Sequence, residues 1–245
     1  MTNSTECPSI FLETTIQIDR VLGNRERQLA LERELRNYRL VTSRYVLGEY
    51  LRTVVKDATR LHEFLLIYPH LDDVLTAVGQ HYNKREASRM MLLLGALLRS
   101  GNTLEPVTYN QQVLLDRIVR MIKATLVRRF HAGIDELIDD VQCGLARERP
   151  VQSTSNPSYQ LRSQCVRTVR ECALAEHMET WKPQLALLAE GLSESSDPAL
   201  ARMGQLAGRI IDDPVFARGR NCTWHLGDMV IALELPALYN QPPPF

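Results

Sequence analysis

The sequence predicts an α/β fold, rich in helix, built on a small parallel sheet. Three observations predict it. Short apolar runs at 9–12, 39–42 and 236–239 read as strands at the two ends of the chain. The first two lead directly into helical stretches, the strand-then-helix order that produces a parallel sheet with right-handed crossovers. The span from about 61 to 210 reads almost wholly as helix.

Taken in order, the strand at 9–12 is followed by Glu13-Thr14-Thr15, where Thr14 or Thr15 is the expected cap of a helix carrying Ile18, Val21 and Leu22. Gly23-Asn24 ends that helix, and a charged, periodic helix follows over 25–38, with Leu29, Leu31 and Leu35 apolar. After the strand at 39–42, Ser43 stands at the cap position of a helix whose apolar side holds Val46, Leu47, Tyr50, Leu51, Val54 and Val55. Residues 90–98 are dense enough in apolar side chains for a core helix, and 108–146 reads as helix with a break near Gly133. Pro150, Ser153, Thr154, Ser155, Asn156 and Pro157 mark an exposed loop over 149–157, and a second break falls at 193–198. Asp212-Asp213-Pro214 closes the helical block, and a short helix at 226–235 precedes the last strand.

With 245 residues, 44% of them hydrophobic, the chain is long enough to bury a substantial core. Its formal net charge is zero, so a polyanion must be met by a local patch rather than a global field. No apolar run approaches a membrane span, and the N-terminal segment lacks a basic stretch before an apolar one. Five cysteines, an odd number, argue against a secreted disulfide framework, so a cytoplasmic protein is expected.

Three carboxylates stand out. Glu13 follows the first strand, Glu49 lies on the helix after the second, and Asp228 begins the helix before the third. Ligands of parallel sheets sit at the carboxyl ends of the strands. Carboxylates gathered there repel one another unless a cation neutralises them, and hard oxygen donors suit Mg²⁺ or Mn²⁺. These segments read Glu13-Thr14 with Asp19 six residues on, Ser43 with Glu49 six on, and Leu226-Gly227-Asp228 with Ile231-Ala232, ending at Leu238-Tyr239-Asn240 and Phe245. In order and local spacing the chain resembles the PIN-domain superfamily of metal-dependent nucleases, over residues 9–55 and 220–245.

The resemblance implies a single three-layer PIN-like domain of 1–245 with a long helical insertion at about 61–210. It implies a Mg²⁺- or Mn²⁺-dependent endonuclease acting on RNA, with DNA as the alternative substrate. Glu13, Glu49 and Asp228 would be the metal ligands and catalytic groups, with Thr14, Ser43 and Asn240 behind them. Many members of the superfamily are toxins held by an antitoxin or parts of defence and RNA-processing systems, so an inhibitory partner protein or a homo-oligomer is in keeping with it. The chain departs from the pattern twice. Glu13 stands where the family has Asp, and no acidic residue falls at 240–243. The second departure favours the alternative, a PIN-like module that has lost its metal site and binds nucleic acid or protein. A third reading is an all-helical interaction protein.

Each residue also has a plainer role to weigh. Glu13 suits the start of a helix, where a carboxylate complements the dipole, and Glu49 suits a solvated helix face. Asp19 reads as a surface residue or a partner for Arg20. Arg117, Arg120, Lys123, Arg128 and Arg129 form a basic stretch able to meet a phosphate backbone, although such stretches are commonly solvated surface. Arg162, Arg167 and Arg170 form another. Cys165, Cys172 and Cys222, with His177 or His225, have the chemistry of a zinc site but not its close spacing, which favours buried, inert thiols.

Overall fold

The computed structural model describes residues 8–99, 110–138, 151–152, 159–160 and 180–213. It is a mostly helical α/β structure with a three-stranded parallel sheet in the order β1-β2-β3. By its internal contacts the chain falls into two units. Among the described residues, the first holds 8–42, 46–99, 110–137 and the short strands at 151–152 and 159–160. The second holds 43–45, 138 and 180–213.

Strand β1 is Ser9–Phe11 and β2 is Arg39–Ser43, close to the expected 9–12 and 39–42 but with Ser43 in the strand rather than at the cap, and they pair in parallel with Ser9 opposite Arg39 and Phe11 opposite Val41. The ladder is extended at both ends: Arg39 N–H donates to Pro8 O at 2.9 Å and Leu12 N–H to Val41 O at 2.7 Å. The buried Thr42 hydroxyl adds a bond to Leu12 O at 2.8 Å. The connection between them is α1, Thr14–Leu22, and α2, Arg25–Leu35. Leu12, Leu31 and Leu35 form the core beneath this crossover, with Ile10, Ile16, Leu40 and Ile134 packed around it. The second helix stops at Leu35, short of the expected 38.

Beyond β2 the chain runs through α3 (Arg44–Tyr50), a π-helical turn at Leu51–Val55, and α4 (Lys56–Ile67). Helices α5 (Leu71–His81) and α6 (Lys84–Arg99) follow. The expected core helix lies in α6, which buries Met90, Leu93, Leu94, Ala96 and Leu97. Asn83 caps it, its Oδ1 accepting from Glu86 N at 3.1 Å while its amide donates to the Glu86 carboxylate at 2.7 Å. Helix α7 (Gln111–Arg120), a second π-helical turn (Met121–Thr125) and α8 (Leu126–His131) complete the set. Tyr50 ties α3 to α8, with its ring 5.0 Å from that of Phe130 and its hydroxyl donating to Leu126 O at 3.4 Å.

The helix expected over 108–146 ends instead at His131. Gly133 takes φ +72°, a left-handed conformation that stops a helix, and β3 follows at Glu136–Ile138. Asp135 sets that strand in place. Its N–H donates to Leu40 O at 2.9 Å and its carboxylate accepts from Leu40 N–H at 2.7 Å. The sheet therefore takes its third strand from inside the stretch expected to be helical. Beyond that stretch, β4, Val151–Gln152, pairs antiparallel with β5, Tyr159–Gln160, so part of the expected loop at 149–157 is strand.

The most buried charges of the first unit are also its best-paired. Asp57 is 1% exposed and bonds Arg89 Nε at 2.6 Å, with Arg60 at 3.8 Å. Arg60 also pairs with Glu86 at 3.3 Å and lies over the Tyr82 ring. Burial raises the Asp57 carboxyl pKa, and Arg89 opposes that shift.

In the second unit, α9 (Lys182–Ser193) and α10 (Pro198–Asp212) form a helical hairpin about the expected break. The strand and helix expected at 236–239 and 226–235 lie outside the described residues. Among the described residues no helix is long and apolar enough to cross a membrane.

Candidate functional site

Two of the three expected carboxylates lie in the first unit. Glu13 stands just past the carboxyl end of β1, and its extended backbone (φ −79°, ψ 173°) makes it the N-cap of α1. Its carboxylate accepts from Thr15 N–H at 3.0 Å. The cap is thus Glu13, not Thr14 or Thr15. A carboxylate at a helix start satisfies an orphan donor and complements the dipole, so the plainer role of Glu13 is met.

The Thr14 side chain, released from capping, does something else. It is 7% exposed, and its hydroxyl donates to Oε2 of Glu49, a residue 35 positions further along the chain. That bond joins the start of α1 to α3, so Glu49 is held beside the residue that follows Glu13. The π-helical turn starts two residues after Glu49, and Thr53 bonds the Glu49 and Tyr50 carbonyls at 2.8 and 3.2 Å. Such turns widen a helix and re-aim the side chains around them. Ser43 ends β2 directly before α3 and is 0% exposed.

No family model matches this chain, and no curated protein or solved structure is significantly similar to it.

Oxygen donors, one a carboxylate oriented by a hydroxyl, are the kind of set that a hard divalent cation takes, and such orientation is how outer groups position metal ligands. Among the described residues, no three His, Cys, Asp or Glu side chains gather closely enough to hold a metal ion. Asp228, the third expected ligand, and Asn240 lie outside the described residues. So do Cys165, Cys172 and Cys222, with His177 and His225, and so do Arg162, Arg167 and Arg170.

Asp19 pairs with Arg27 at 3.0 Å, not with Arg20. The basic stretch divides. Arg117 turns back to cap α6 through Leu97 O at 2.9 Å, while Arg120, Lys123, Arg128 and Arg129 are exposed. Sequence reasoning missed two features near the site. The π-helical turn after Glu49 has no recognised sequence signature. Gln17 is 0% exposed, one turn along α1 from Glu13, and its amide accepts from Arg20 at 2.6 Å; polar residues on the buried side of α1 were the available signal.

Proposed function

We propose that the protein is a metal-dependent phosphodiester hydrolase of PIN type that cleaves RNA, with Glu13, Glu49 and Asp228 as the ligands of Mg²⁺ or Mn²⁺. The observation that carries this reading is the Thr14–Glu49 hydrogen bond. It gathers two of the three carboxylate-bearing segments at the carboxyl edge of a parallel sheet, where such folds hold their ligands. A bound cation there supplies positive charge to a phosphate and lowers the pKa of a coordinated water. The protein's own contribution is orientation. Thr14 fixes one oxygen of Glu49, and Thr15 N–H fixes one oxygen of Glu13.

The test is cleavage of mixed RNA and DNA with Mn²⁺, with Mg²⁺ and with chelator, for wild type and Glu49→Gln. The substitution keeps the shape of the side chain and an oxygen able to accept from Thr14, so the melting temperature should hold or rise. Activity should fall by orders of magnitude, because metal binding depends on ligand charge. Asp228→Asn should behave alike. Glu13→Asp keeps an N-cap and restores the family's residue, so it separates capping from ligation.

One observation favours a second reading, a PIN-like module that binds without cleaving. The Glu13 carboxylate already serves as a helix cap. If wild type cleaves neither RNA nor DNA with any of these metals, and no variant alters metal binding, the module reading replaces the nuclease.

A further inference from the structure

We propose that a second site, lined by residues other than the carboxylates, binds a small phosphate monoester the size of a nucleoside monophosphate. The site is a pocket of about 640 Å³ in the first unit, bounded by α1, α2, the start of β2 and the turn into β3. That volume lies within the range of small-molecule sites. Arg20 lies on α1 seven residues after its N-cap Glu13, about 10 Å along the helix axis. The inference is therefore independent of the nuclease reading.

Three guanidinium groups, Arg20, Arg36 and Arg129, line the pocket. None of them takes part in an ion pair among the described residues. Arg20 is partly buried and, among the described residues, bonds neutral oxygens, Gln17 Oε1 and Ala132 O, each at 2.6 Å. Its desolvation lowers its pKa, but a guanidinium stays charged. A cation withdrawn from water without a counter-ion is costly, and an anion entering beside it removes that cost. Among the described residues Arg129 makes one long bond, to Val21 O at 3.5 Å, and Arg36 makes none.

The acidic lining is outnumbered: it consists of Asp135, whose carboxylate accepts from Leu40 N–H, and the exposed Glu32. Planar guanidinium forks match phosphate oxygens two at a time, and the three arginines exceed the two acids by one positive charge, so the lining as a whole favours an anion. Leu31 and Leu35 supply an apolar floor, and Tyr38, 40% exposed, offers a ring on which a base can stack.

The experiment is calorimetry and thermal shift on the full chain in chelator, with AMP, adenosine and inorganic phosphate as separate ligands. AMP should bind saturably and raise the melting temperature, phosphate should bind more weakly, and adenosine should not bind measurably. The double variant Arg36→Gln, Arg129→Gln should lose at least tenfold in AMP affinity, while Glu49→Gln binds as wild type does. Both arginines are exposed, and Arg36→Glu alone serves if the double variant folds poorly. Absence of AMP binding, equal binding of adenosine, or undiminished affinity in the arginine variants would overturn the proposal. Phosphate binding as tightly as AMP would overturn the nucleotide-sized assignment.

Discussion

At the scale of single residues, burial decides which polar groups carry weight. Asp57 is almost fully buried and is held by Arg89; removing one partner of such a pair is far more damaging than the pair is stabilising. Among the described residues His62 has no such partner: it is 2% exposed, its Nδ1 meets no hydrogen-bond partner there, and its ring lies edge-on to Tyr159 at 5.1 Å. Burial lowers its pKa below the ordinary 6.5. The unfolded chain then binds more protons than the folded one once pH falls below about 6.5, so stability is full above that pH and is lost as pH falls toward the folded pKa. His131 shifts the same way and adds to the effect. His62→Phe keeps a ring against Tyr159 and removes the titration. Urea unfolding at pH 7.5 and pH 5 should show a smaller acid loss in the variant than in wild type. An equal loss would mean that His62 is not held neutral.

At the scale of elements, the outcome follows how local each signal is. The β1-α1-α2-β2 unit was legible because its apolar runs, caps and breaks lie within a few residues of one another. The residue capping α1 was misassigned because Glu, a poorer cap than Ser or Thr, took the position when Thr14 was drawn to Glu49. Strand β3 was not legible: three residues are too few for a period, and what holds them is the distant Leu40 backbone. The break at 193–198 was read correctly, but not how closely its two helices approach. A Cβ on Gly204 would lie 2.5 Å from Ser193 N and 2.7 Å from Leu192 C, both backbone atoms unable to yield cheaply. Gly208 faces only the Ala189 Cβ, at 3.8 Å. Gly204→Ala should therefore cost about 1–3 kcal/mol through overpacking. Gly208→Ala should gain up to about 1 kcal/mol through helix propensity. Denaturant melts of the two variants should move in opposite directions, and a stabilising Gly204→Ala would show that the helices can part there without loss.

At the scale of the whole molecule, the balance of 29 basic and 29 acidic residues gives no long-range attraction for a polyanion. If the proposed RNA substrate binds, it must be held by a few local cations, and those cations fix how its binding responds to salt. Of the expected basic stretch, Arg117 is committed to the Leu97 carbonyl and Arg129 lines the pocket beside Arg20. Arg120, Lys123 and Arg128 are the exposed remainder, along α7, the π-helical turn and α8. Each phosphate contact to single-stranded RNA contributes about −0.7 to the slope of log K against log salt. Replacing all three with Gln should weaken binding of an unstructured RNA at low salt and flatten that slope by about 2. The loss should be alike for different sequences, because phosphate contacts position a strand without reading it. Surface charge changes of this kind leave folding nearly untouched, so the melting temperature is the control. A slope unchanged from wild type would remove these three cations from the interface, and a sequence-dependent loss would mean that they read bases.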